Sequence, residues 1–432
     1  DRYRTITEED VEHTEKLAYL PWMPTMRILL VNDYGTPDGG AEIQIYRLRR
    51  LLRERGHDAR LFTTGVESPG MNNTADYKCT GTKSSFRLLL QTANPWAYFK
   101  LRRIIREFKP DIVHVKMFLT QMSPLILPLL KDVPSVYHVA WYRPICPTGT
   151  KMLPDGSRCA FKAGSVCYTE GCVPAPDWIP LMLQLRLFVA WHNGFGAIMA
   201  NSEGVRNRRM DQGSEPVEVL CYGIESAGEQ TLLSEEPTAV FAGRLVREKG
   251  VDVLLRAFGK VSAKVPGAKL LIAGDGPERK NLEALSAKLN LTHSVKFIGY
   301  MSQEKMNDAL KGAWVQVVPS LWDEPFGIVA IEAMARGTAV IASSSGGLSE
   351  IVDDGIDGFL VPPGNAEALS EKLTVLLTNK RLAASMAAAA KKAASERFSE
   401  DAFLRQLFRI YDSVLLAKNR GKGKRIRSGL ST

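Results

Sequence analysis

What this 432-residue chain lacks first is a long apolar run. Its most apolar stretch, residues 178–191, is broken by Gln184 and Arg186. It is also shorter than the ~20 residues a membrane-spanning helix needs. No signal peptide is legible behind Asp1, the first residue given. The expected location is cytoplasmic. Excess charge is scarce too. Six of the basic residues lie in the stretch 418–427, and leaving them aside takes the formal charge from +9 to about +3. That balance does not mark a folded nucleic-acid-binding face, so no specific nucleic-acid partner is expected. Cysteine is sparse, with six residues and no C-x-x-C pair, which removes the usual zinc-ribbon spacing. A D-x-D carboxylate pair is also absent, so a metal clamp is not expected.

What remains is 45% hydrophobic and 24% charged, a soluble globular composition. Short apolar runs recur at residues 26–32, 59–64, 110–115, 135–140, 197–201 and 217–223, mostly with helical patterns between them. A polar interval, 225–238, interrupts this rhythm. Runs at 239–245, 269–277, 295–300, 315–320, 338–343 and 358–363 then restart it. Strand–helix alternation implies parallel sheets wrapped by helices. The expected fold class is α/β, with two doubly wound Rossmann-like domains facing across a cleft. Its parts are a tail (1–25), a first domain (26–224), a hinge (225–238), a second domain (239–395), C-terminal helices (396–419) and a basic disordered tail (420–432).

The stretch DEPFGIVAIEAMARG, 323–337, follows the run VQVVPS and closes on Gly337, a helix stop. Gly327 then sits at the helix start. The amides of Gly327, Ile328 and Val329 become orphan donors at a positive dipole end, an anion site. Glu324 lies in the loop at the cleft mouth. Glu332, further along the helix, suits vicinal hydroxyls, as acids do for ribose in dinucleotide folds. A surface acid and a salt-bridged helix acid are the bland alternatives. Just after the first strand of the second domain, GRLVREKG carries Arg244 and Lys249, both able to reach a diphosphate. AGDGP, with Gly274, makes a tight turn suited to packing a base. DGGAE puts Gly39 and Gly40 at a first-domain helix start facing the same cleft.

Together GGAE, GRLVREKG, AGDGPER, the E-x7-E stretch through SSSGGLSEIV, and DGFLVPPGN resemble glycosyltransferase family 4, a group of GT-B enzymes. The resemblance runs from Met26 to about Lys418. It implies a retaining, metal-independent transferase that moves a sugar from a nucleotide-sugar, UDP-sugar by default and GDP- or ADP-sugar otherwise, with no cofactor required. The acceptor would be a glycan, lipid or small-molecule hydroxyl. By resemblance, Glu332 would hold the ribose and Glu324 the donor-sugar hydroxyls. Arg244 and Lys249 would neutralise the leaving diphosphate beside the amides of 327–329. His138, in YHVA, would match the family histidine near the reacting carbon. Many members follow that histidine with an acid, and here Val139 follows it. His114 is the competing histidine, and a core role is the alternative for both. The C-terminal helices would cross back onto the first domain. A catalytically silent nucleotide-sugar-binding module and a sugar-nucleotide epimerase are the alternative functions.

An insertion at 141–176 departs from the pattern. Its Cys146, Cys159, Cys167 and Cys172 form a candidate zinc or iron–sulfur ligand set, with reduced thiols and disulfides as alternatives. Cys79 and Cys221 read as packing residues. Residues 86–110 contain a basic amphipathic helix with Lys100, Arg102, Arg103 and Arg106. It reads either as a solvated face or as a dock on an anionic membrane, which would suit a lipid-linked acceptor.

Overall fold

The computed structural model describes residues 24–37, 39–67, 70–84, 86–210, 217–225 and 232–428. Residues 1–23 of the expected tail, 226–231 of the expected hinge and 429–432 at the C-terminal end lie outside them. The first sheet has seven strands: β1 (Arg27–Val31), β2 (Asp58–Thr64), β3 (Tyr77–Cys79), β4 (Ile112–Val115), β5 (Ser135–Val139), β6 (Ala197–Ala200) and β7 (Glu218–Val219). Their spatial order is β3-β2-β1-β4-β5-β6-β7. The second has six: β8 (Thr238–Ala242), β9 (Lys269–Ala273), β10 (Val295–Gly299), β11 (Val315–Val318), β12 (Ala339–Ser343) and β13 (Gly358–Val361). Their order is β10-β9-β8-β11-β12-β13. The pairs at the centre of each sheet, β1 with β2 and β4 and β8 with β9 and β11, are all parallel.

Strands β4, β5, β11 and β12 are buried at every residue. Helices cover both faces, so their sequences read as continuous apolar runs instead of alternating. The helix Gly40–Glu54 buries Ile45, Leu48, Leu51 and Leu52 at helical spacing against Ile28, Leu30 and Leu61. It is followed by Gly56 at φ 82°, a backbone state that favours glycine.

In each sheet the strand order reverses once, between β1 and β4 and between β8 and β11. Loops on either side of such a reversal splay apart and leave a crevice beyond the strand ends. The two reversals therefore define where the two halves of a site belong.

The C-terminal helix Glu400–Ser428 lays Phe403, Leu404, Leu407, Phe408 and Tyr411 into the first domain's core. The Tyr411 hydroxyl lies 2.7 Å from His114 Nδ1. This helix corrects one expectation. It runs to Ser428, through most of the stretch assigned to a disordered tail. Strand β3 is a second difference. Its three residues carry no apolar run, and it forms because Phe62–Thr64 template it in parallel register.

Candidate active site

The second-domain half of the site is built around the β8/β11 reversal. Glu324 is buried in the loop after β11 and accepts four hydrogen bonds from three donors. Lys249 Nζ lies 2.9 and 2.8 Å from its two oxygens, while Ser320 Oγ and Trp322 Nε1 each donate at 2.9 Å. Burial alone would push this carboxyl up, but Lys249 and the hydroxyl and indole donors outweigh it and hold Glu324 below the usual carboxylate range. Lys249 Nζ also stands 5.5 Å from the Trp322 ring centroid. Arg244, across the same reversal, is exposed, and its guanidinium has no hydrogen-bond or ion-pair partner among the described residues.

Gly327 caps the helix Ile328–Arg336 at φ 113°. A Cβ there would come within 2.4 Å of Leu348 Cδ2. The first backbone bond at this end runs from the Ala330 amide to the Gly327 carbonyl. Among the described residues no carbonyl outside the helix takes the amides of Gly327, Ile328 or Val329. Glu332 is buried one turn further on and accepts from Gln303 Nε2 at 2.6 Å. Burial raises its pKa, with Arg336 and Arg47 opposing. Gly274, at φ 135°, packs its backbone on Gly243; a Cβ would lie 1.8 Å from the Gly243 carbonyl oxygen.

The first-domain half is built around the β1/β4 reversal. Gly39 caps the helix Gly40–Glu54. Gly40 meets the other domain directly, since a Cβ built on it would lie 3.4 Å from Ile328 Cδ1. The glycine turn and the open helix end thus face one another. Buried Asp33 accepts from the Thr120 amide and hydroxyl and from the Gln121 and Met122 amides, at 2.6–3.1 Å, which fixes the loop after β4. Sequence reasoning passed over Asp33, as it did Lys116, the first residue beyond β4. Lys116 is 2% exposed, and its ammonium lies 4.3 Å from the Tyr222 ring centroid.

His138 is 1% exposed within β5. Its ring stands 5.1 Å from that of Tyr222 and 5.7 Å from that of His114. Its Nε2 has no hydrogen-bond partner. Burial and then the Lys116 charge hold His138 well below the usual imidazole range, and the same two causes take His114 down to about 3. Both histidines are therefore neutral at physiological pH.

Polar contacts close the domains on each other. Ser202 Oγ donates to the Pro325 carbonyl at 2.6 Å. The Glu203 and Gly204 amides donate to Glu350 at 2.8 and 2.7 Å. Asp323 pairs with Arg158 of the insertion at 3.1 Å and with Arg208 at 2.5 Å. Arg247 donates to the carbonyls of Pro154 and Asp155, also in the insertion. The insertion thus straps the first domain to the loop that carries Glu324.

The four cysteines of the insertion lie within electrostatic reach of one another. All six cysteines are free, and among the described residues no group of three or more His, Cys, Asp or Glu is arranged to hold a metal ion. Cys146 packs into the main first-domain core, whereas Cys167 and Cys172 pack in a separate cluster with Val173 and Leu181.

Two parallel α/β domains with glycine turns, cations and a helix end gathered at facing switch points define a GT-B glycosyltransferase. Residues 38–227 match the family model described as Glycosyltransferase Family 4, and residues 225–393 match that described as Glycosyl transferases group 1. A phosphatidyl-myo-inositol mannosyltransferase of Mycolicibacterium smegmatis is 32% identical over 408 residues, 90% of this chain and 94% of that one. An uncharacterized glycosyltransferase of Methanocaldococcus jannaschii is 37% identical over 177 residues, 41% of this chain and 45% of that protein. An Anabaena protein solved in complex with UDP and glucose shares the fold, with a TM-score of 0.65 at 20% identity, covering 90% of this chain and 100% of that one. The chain belongs to glycosyltransferase family 4.

Proposed function

We propose that this chain moves a sugar from a nucleoside-diphosphate sugar to a hydroxyl with retention of anomeric configuration and without a metal. The observation that carries this reading is the Lys249–Glu324 pair, set beside the open amides of Gly327–Val329 and opposite Gly40. A diphosphate seated on those amides would have Lys249 and the unpaired Arg244 on its flank. Charge growing on the leaving phosphate is stabilised where it develops. Ionised Glu324 would then fix Lys249 and accept from donor-sugar hydroxyls. Glu332 would accept from the ribose, displacing Gln303.

In the reaction the bond from the anomeric carbon to the diphosphate oxygen breaks and a bond to the acceptor oxygen forms on the same face. The acceptor's proton passes to the departing phosphate. Neutral His138 would serve as a polar contact behind the reacting centre and not as a charged acid. UDP is the favoured nucleotide, supported by the fold relative solved with UDP.

We also propose a lipid-linked acceptor reached from a membrane surface. Phe86, Leu89, Trp96, Phe99, Ile179 and Leu183 are exposed on the first domain. They lie on the helices Arg87–Thr92, Pro95–Phe108 and Ala175–Trp191 or beside them, and the first and last of these helices are joined by the Thr92 Oγ1 bond to the Pro180 carbonyl at 3.2 Å. The exposed side chains of Arg102, Arg103 and Arg106 add the positive charge that anionic lipid attracts. Among the described residues no helix is long and apolar enough to cross a membrane.

The test is proton NMR of UDP-, GDP- and ADP-sugar panels incubated with the protein and phosphatidylinositol vesicles. Consumption of one donor with an axial product from an axial donor supports the reading. An equatorial product would sink retention, and consumption of none would sink the donor assignment.

A further inference from the structure

Burial of a lysine that is not closely paired is costly, and a fold keeps one where something else adds to its counter-charge. Lys116 is such a residue. It is the first residue past β4, at the β1/β4 reversal, the first domain's switch point. Its backbone amide is tied to the Val31 carbonyl at 2.9 Å, so the side chain is aimed from a fixed strand end. Its ammonium rests on the face of Tyr222, with the Glu42 carboxylate acting on it electrostatically. Tyr222 in turn meets Phe326 edge-on, with ring centroids 5.3 Å apart, and Phe326 is the residue before Gly327. A short chain of contacts therefore runs from the lysine to the open helix end of the other domain.

The charged and titratable groups around Lys116 are few. His114 and His138 are neutral, Tyr222 is held protonated by burial, and Glu42 and Arg47 on the helix Gly40–Glu54 act on it with opposite sign. Arg47 also acts on Glu332 across the cleft, and it donates to the Gly223 carbonyl at 3.3 Å. Arg47 is thus within electrostatic reach of both Lys116 and Glu332.

We propose that Lys116 is the first domain's ligand for a phosphate oxygen of the bound nucleoside diphosphate, opposite the amides of Gly327–Val329. This inference rests on the donor assignment above. Burial takes the Lys116 ammonium down to about 7 in the unliganded protein. A diphosphate beside it adds negative charge to that of Glu42, so the group must take up a proton as the ligand binds near pH 7.5. The lysine would then tie domain closure to the presence of the diphosphate, because it contributes only when both halves hold the same anion.

The experiment is calorimetry of UDP, GDP and ADP, with uridine, guanosine and adenosine, in two buffers of different ionisation enthalpy at pH 7.5. Wild type and Lys116→Met are compared, with UDP-glucose and UDP-glucuronate as further ligands. The expected result is proton uptake with the preferred diphosphate on wild type and none with its nucleoside. In Lys116→Met the uptake disappears and the diphosphate weakens about 10- to 100-fold, the worth of one charge-assisted bond, with the nucleoside unchanged. Unchanged diphosphate affinity, or uptake that persists in the variant, overturns the assignment while leaving the donor reading standing. A loss confined to UDP-glucuronate would move the contact to a sugar carboxylate and also overturn it. Failure of all three diphosphates on folded wild type removes the donor reading and this inference with it.

Discussion

Lys249 and Glu324 form a two-pronged ion pair, 2.9 and 2.8 Å, between the loops that follow β8 and β11. Each loop belongs to a different side of the sheet reversal, so the pair pins the crevice open at a fixed width. Because Glu324 is buried, removing its partner leaves a charge that nothing else neutralises. Lys249→Ala is expected to destabilise the fold by about 3–5 kcal/mol and to lower turnover by about 100-fold or more. Chemical denaturation and steady-state kinetics check the two effects.

The same pair sets an acid limit. Glu324 titrates below its ordinary value in the fold, so its contribution is complete above that ordinary value, 4.5, and is lost as pH falls through the depressed one. Thermal melts of wild type and Glu324→Gln between pH 3 and 7 should therefore converge at the acid end and separate toward neutrality. Parallel curves would contradict the assignment.

Glu332 has the opposite sign. Burial raises its pKa, so folding is penalised while it is ionised, and the penalty is relieved as pH falls through the raised value. Glu332→Gln is expected to raise the melting temperature at pH 7, with the gain shrinking as the pH is lowered. Nucleotide affinity should fall in the same variant, the exchange of stability for binding that a functional site shows.

Lys116 adds an alkaline counterpart. Its folded pKa, about 7, lies below the ordinary 10.5, so the unfolded chain binds more protons between these values and stability rises with pH across that window. Lys116→Met should be more stable than wild type at pH 7 and should flatten that rise. Denaturant titrations from pH 6.5 to 9 measure it.

Two glycines separate strain from contact. Gly274→Ala drives a Cβ into the Gly243 carbonyl from a left-handed backbone, and the soluble yield of folded protein should collapse. Gly40→Ala meets only the tip of Ile328 at 3.4 Å, from an ordinary helical backbone. It should fold normally and weaken diphosphate binding, read by circular dichroism and calorimetry on the same sample.

The exposed apolar face gives a prediction that does not depend on the donor. The double variant Leu89→Ser with Ile179→Ser should reduce sedimentation with phosphatidylinositol-containing vesicles by about tenfold, in line with the apolar area removed. Binding to the nucleotide should not change. Equal sedimentation of wild type and variant would remove the membrane proposal.

Much of this was legible because parallel strands buried on both faces write themselves as short apolar runs, as in β11 and β12. The glycine turns and helix starts that follow them mark the loops of a switch point. Gly327, Glu324 and Lys249 could be found this way because they sit within motifs of fixed spacing. Lys116 could not, because a lysine after a strand reads as a solvated end until Tyr222, 106 residues later, is seen to cover it. Asp33 was hidden for the same reason, since its partners at Thr120–Met122 come from another loop. In the basic tail, composition argued for disorder while the preceding packed turns carried the helix onward to Ser428.

The central claim is that a nucleoside diphosphate sits between the helix end at Gly327 and the glycine turn at Gly40, with its ribose on Glu332. The most direct measurement is calorimetric titration of UDP, GDP and ADP into wild type and Glu332→Ala. One diphosphate should bind the wild type and lose about 10- to 100-fold in the variant, as expected when hydrogen bonds to a charged acceptor are removed. Equal binding to both proteins, or binding of none of the three to folded wild type, would contradict it.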